Sequence, residues 1–150
     1  MRRIGLGILV LLGLFSAYNP VGAEDDSFSR AKLNRAEISQ FLGKWEGTLE
    51  QRKGREMVTR TLRMDVTRAD EGGYRAIVFR GSIKSNVGLL RTSPPSEKEY
   101  KVKFGKMDNV PCMKIKMGHM SDYVFFRRGE NLFGKNTSTD EQRCLLSRPK

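Results

Sequence analysis

Few residues of this chain have the types and spacing that catalysis needs. Its one histidine, His119, sits in GHMSD beside Ser121 and Asp122. These are the side chains of a base, a nucleophile and an orienting acid. A triad, however, brings such groups together from separate parts of a fold, and three neighbours in one turn rarely align that way. His119 is therefore expected on the surface. Carboxylates are paired at Asp25–Asp26, Asp70–Glu71 and Asp140–Glu141. General acid chemistry needs a carboxyl desolvated in a cleft, and these pairs lie in terminal or turn sequence. One histidine and two cysteines leave little to hold a transition metal. The glycines match no phosphate-cradling pattern. The expectation is a non-enzymatic protein with no catalytic residues, no metal and no cofactor.

Two other groups of residues invite a function. In KVKFGKMDNVPCMKIKM, residues 101 to 117, lysines alternate with apolar residues in two short runs. Lys101 and Lys103 in the first run, and Lys114 and Lys116 in the second, are expected to share one outer face, with Lys106 and Arg75 extending it. That face would suit an anionic envelope polymer or an acidic protein; it also suits plain solvation, or protection of an edge strand. Nucleic acid is not expected, because base stacking needs exposed aromatics, and Tyr100, Phe104, Phe125 and Phe126 alternate as core residues do. The second group centres on Arg60. It lies in phase with Val58, Leu62 and Met64 and so points inward. A buried arginine needs a partner or a polar ligand. It could hold a carboxylate or phosphate near a barrel mouth, or a bulge could shift its register and let it reach the rim.

The elements that must position these residues follow from the change in hydrophobic period. Asn34 and Glu37 form a capping-box pattern, and Ile38, Phe41 and Leu42 have helical spacing, so a short helix is expected to end near Leu42. After Gly43 the period becomes two. GKWEGTLEQ, VTRTLRMDVT, YRAIVFR, EKEYKVKF, CMKIKM, DYVFFRR, LFGKNTS and QRCLLS all read as strands separated by turn signals such as DEGG, Asp108–Asn109 and GEN. Residues 81 to 98 form the longest irregular connection, with a short strand near Val87–Arg91. Seven or eight short antiparallel strands argue for an all-β barrel or sandwich, and the meander-like spacing favours an up-and-down barrel. The inward candidates for a small ligand are Arg60, Leu62, Tyr100, Val102, Met113 and Ile115.

The chain has 150 residues, 28 basic and 17 acidic, with a net charge of +11. Arg2–Arg3, the apolar run Ile4–Phe15 and Val21-Gly22-Ala23 read as a secretory signal cleaved after Ala23. The run is too short to span a bilayer. Residues 24–33 are expected to be loose and 34–150 to form one domain, exported to a periplasm or secreted. In an oxidising compartment Cys112 and Cys144 read as a disulfide, worth ~3 kcal/mol on a chain-entropy argument. Asn136-Thr137-Ser138 is a glycosylation sequon and reads as a chance occurrence.

The helix leading into LGKWEG resembles the opening of a lipocalin-like, or calycin, barrel, with Gly43 and Trp45 at the family's glycine-x-tryptophan. SDY at Ser121, Asp122 and Tyr123 resembles its threonine-aspartate-tyrosine motif. The resemblance implies that Trp45 plugs one end of the barrel, with a late arginine, Arg143 or Arg148, packed over it. It also implies that a disulfide to the C-terminal end fits the family, and that the barrel holds a small apolar or amphipathic ligand. The competing expectation is a barrel filled by its own side chains that works through its basic outer face, as a binder or an inhibitor.

Overall fold

A computed structural model describes residues 28–85, 94–118, 122–139 and 141–150. The signal segment, His119, Ser121, Asp140 and the strand expected near Val87–Arg91 lie outside the described residues. The elements are β1 (Phe28–Ser29), α1 (Arg35–Ser39), β2 (Gly43–Lys53), β3 (Glu56–Arg68), β4 (Tyr74–Ser85), β5 (Ser96–Met107), β6 (Val110–Lys116), β7 (Asp122–Arg128), β8 (Asn131–Asn136) and β9 (Gln142–Ser147). Strands β2 to β9 pair antiparallel with their sequence neighbours, and β9 returns to β2. The result is a closed eight-stranded up-and-down barrel. Closure removes the unpaired sheet edges that would otherwise invite aggregation. β1 is an extra strand on β5, in the segment expected to be loose.

The turns follow local chemistry. Asp108 and Asn109, at φ 50° and 63°, carry the β5–β6 hairpin. Two positive-φ residues match the twist of the strands they join, and Asp and Asn tolerate that region better than most residues. The capping box forms as expected: Asn34 N donates to Glu37 Oε2 at 2.8 Å and Glu37 N to Asn34 Oδ1 at 2.9 Å. The helix is shorter than its apolar spacing predicts. Phe41 N and Leu42 N bond to Ile38 O and Ser39 O, three residues back, so the last turn tightens. Phe41 is thereby directed into the barrel.

Alternation along each strand sorts the residues. Leu62, Met64, Val66, Ala76, Val78, Val102, Met113, Ile115, Phe125, Leu132 and Leu146 fill the interior, all nearly inaccessible. One end is closed by Phe41 and Trp45, whose Nε1 donates to Phe41 O at 2.8 Å. The Arg148 guanidinium lies 3.8 Å from the Trp45 ring centroid and Arg127 lies 5.0 Å from it. Arg148 also donates to Leu42 O at 2.6 Å. Of the two late arginines, Arg148 is the one on Trp45. Arg143 sits opposite Glu50 and Lys135 on the outer face.

The expected disulfide does not form, because both cysteines are free and buried. Cys144 faces the interior with Leu49 and Leu146. Cys112 faces outward, under β1, with Met107 and Val124. The two strands are three spacings apart, ~14 Å, and the side chains lie on opposite sides of the wall. A bridge needs Cα atoms within about 7 Å.

Candidate functional site at the barrel mouth

Opposite the Trp45 plug the interior becomes polar. β3 contributes Arg60, β4 Arg80, β5 Tyr100, β7 Tyr123, β8 Asn136 and β9 Gln142. The register fixes their level. Leu49 pairs with Arg60 and Cys144, and Gln51 pairs with Val58 and Gln142, while Trp45 lies six residues from Gln51 at the far end of the same strand.

Arg60 keeps the inward phase of its strand. The register shift lies across from it: Arg60 pairs with Ile83 and Leu62 with Arg80, so Gly81 and Ser82 together face Thr61. The extra residue belongs to β4, and such a bulge re-aims neighbouring groups. Here the Gly81 carbonyl accepts a hydrogen bond from Arg60 Nε at 3.0 Å. Arg80, next to Leu62 and in phase with Ala76 and Val78, also points inward. Its Nη2 donates to Met117 O at 2.6 Å and to the Tyr100 hydroxyl at 3.2 Å. Burial, and then the charge of Arg80, lower the pKa of Arg60 from its ordinary value. Ion pairs among the described residues include Arg75–Glu99 at 3.5 Å, Lys106–Glu37 at 3.8 Å and Lys114–Asp122 at 3.0 Å. None involves Arg60 or Arg80.

The far side of the mouth is satisfied internally. Tyr123 donates its hydroxyl to Gln142 Oε1, and Asn136 Nδ2 donates to the same oxygen at 2.9 Å. Asn136 Oδ1 accepts from Ser138 N at 2.8 Å, and the residue is only 3 % exposed. The side chain of the sequon asparagine is thus buried and bonded in the folded barrel. Burial raises the Tyr123 pKa and pushes the Cys144 thiol up to about 12.

The six ligand candidates divide into two sets. Leu62, Met113 and Ile115 are fully inaccessible and Val102 is 8 % exposed; they are packed core beneath the mouth. Arg60 and Tyr100 are half-buried at the mouth itself. Arg80 belongs with them and was hidden in YRAIVFR, which reads as apolar on both faces. Its parity with Ala76 and Val78 is the signal that places it.

On the outer face Lys103 stands directly opposite Lys114 across β5 and β6. Arg30, Lys101, Lys103, Lys114 and Lys116 line a groove of about 610 Å³ together with Phe28, Tyr100, Gly118 and the carboxylates of Glu99 and Asp122. Lys114 bonds to Asp122 and its Nζ lies 5.1 Å from the Phe28 ring centroid. Lys106 does not join this face. It has the inward phase of Val102 and Phe104 and reaches Glu37 of α1.

No helix among the described residues is long and apolar enough to cross a membrane. Comparison with known proteins finds no matching family model, no matching curated protein and no matching solved structure.

Proposed function

We propose that this is an exported, non-enzymatic binding protein, a lipocalin-like barrel that takes a small amphipathic molecule through its open end. The observation that carries the reading is the gradient of polarity along the barrel axis. The floor is apolar and plugged by Trp45, and the mouth is polar on most of its strands. An amphipathic molecule matches that gradient, with its tail toward the floor and its head at the mouth. Eight-stranded barrels are just wide enough for side chains or one small ligand. Met117 lies at the mouth, and Met64 and Met113 lie deeper in the same core cluster, beside Trp45 and Phe104. Their unbranched side chains repack with little cost, which suits an interior that must admit a tail.

Native mass spectrometry of the protein purified from its own compartment tests this. The expected result is an added mass that persists at high salt and extracts into organic solvent. A clean polypeptide mass, together with no uptake of added alkyl amphiphiles, would contradict it.

One observation favours a second reading, in which the basic groove binds an anionic partner. Lys101, Lys103 and Lys116 stand exposed around the groove with Arg30, whereas Lys114 is already paired with Asp122. Binding there is expected to be lost as salt rises, because exposed charges are screened. Retention in the barrel is not.

A further inference from the structure

The charges at the mouth do not balance. Arg60 and Arg80 share it, and the groups facing them can be named strand by strand. β2 offers Leu49 and Gln51, β5 Tyr100, β6 Ile115 and, just past its end, Met117, β7 Tyr123, β8 Asn136, and β9 Gln142 and Cys144. Lys98, in phase with Tyr100, adds a further cation at the rim. The only carboxylate in phase on β3 is Glu56, four residues from Arg60, ~13 Å along the strand, and it has an interaction of its own. Among the described residues, then, no anion is set against either guanidinium.

Their donors are also only partly used. A guanidinium carries five N–H groups in a planar fork. Arg60 spends its Nε on Gly81, and Arg80 spends Nη2 on Met117 and Tyr100. The remaining N–H groups have no hydrogen-bond partner among the described residues. The Tyr100 hydroxyl accepts from Arg80, which leaves its own proton to donate.

On the barrel-mouth reading above, we infer that the head group held at the mouth is a dianion, a phosphate monoester, with Arg60, Arg80 and Tyr100 as its donors. A carboxylate would neutralise only one of the two arginines. A phosphate monoester carries about −1.5 to −2 at pH 7 and offers three strong acceptor oxygens. Arginine forks match phosphate oxygens in charge and geometry. The tail of an alkyl phosphate would occupy the apolar side of the mouth.

The experiment compares octyl phosphate, octyl sulfate, octanoate, octanol and inorganic phosphate by calorimetric titration between pH 5 and pH 8. Octyl sulfate is a monoanion throughout that range, and the second phosphate ionisation lies near pH 6. Tyr123 and Cys144 do not gain charge in that window, since burial holds both above their ordinary values. The profile is repeated in H119Q, which removes the one histidine. At pH 8 octyl phosphate is expected to bind ~10-fold or more tightly than octyl sulfate, as a second charge-assisted contact implies. The ratio should fall toward one at pH 5. R60Q and R80Q should each abolish the preference, and R60K and R80K should keep part of it while the thermal melt stays cooperative.

Equal binding of octyl sulfate or octanoate at pH 8 would overturn the dianion inference and leave barrel binding intact. Inorganic phosphate binding as tightly as octyl phosphate would keep the dianion site and contradict the amphipathic ligand. Failure of all five probes would overturn both.

Discussion

At the residue scale, Arg148 and Arg143 make a controlled pair. The sequence leaves both as candidates to cover Trp45, because each lies within a few residues of the end of the last strand and parity depends on where that strand stops. In the structure Arg148 stacks at 3.8 Å and bonds to the Leu42 carbonyl. R148A should cost about 1–3 kcal/mol, from a lost cation–π contact and a hydrogen bond to a charged group. R143A on the outer face should stay within ~0.5 kcal/mol. Urea denaturation of the two variants checks this.

Cys144 gives a pH signature. Its thiol is pushed up to about 12 by burial, from 9.0. Folding therefore favours the neutral thiol. The stability it contributes is whole below about pH 9 and is lost as the pH climbs toward about 12. C144A should weaken that alkaline loss in equilibrium unfolding measured between pH 8 and 11. With no disulfide present, a reducing agent should leave the melting temperature unchanged.

At the element scale, the strands were legible because alternation is a local property of the chain. GKWEGTLEQ and CMKIKM already separate inside from outside. Other features were not legible, for reasons that are not local. The β4 bulge needs Thr61 as its partner before Gly81 and Ser82 count as one residue too many. The disulfide failed for the same kind of reason. Two cysteines in a chain expected to be exported are a compositional hint, whereas a bridge depends on which face each occupies.

β1 is the element with the sharpest test. A Cβ on Gly105 would collide with the Ser29 carbonyl oxygen and the Phe28 ring. G105A should lift β1 from β5 and uncover Cys112, which lies in the same outer cluster as Phe28. Iodoacetamide should then label Cys112 faster than in the parent chain, with Cys144 unchanged. Peptide mapping reads both rates.

At the scale of the whole molecule, fold class and candidate site were legible to different depths. An all-β up-and-down barrel follows from eight alternating segments with a turn every few residues. The inward phase of Arg60 follows from the same alternation. The mouth as a unit does not, because Arg80, Tyr123, Asn136 and Gln142 come from four strands and meet only when the sheet closes. The excess of positive charge was visible at once, but its two locations were not. One is the exposed lysine groove and the other is the arginine pair inside. They differ in salt dependence, since partly buried charges are screened less than exposed ones.

The most direct test of amphiphile binding inside the barrel is methyl NMR of the labelled methionines during titration with octyl phosphate at 0.5 M salt, a condition chosen to suppress surface binding. Met117 lies inside at the mouth, where its carbonyl meets Arg80, Met113 lies deeper, beside Phe104 and the Phe41 plug, and Met57 is exposed on the outer wall. The account predicts that the Met113 and Met117 resonances move in a saturable way while Met57 stays still. Shifts confined to Met57 and the outer face, or none at all, would contradict it.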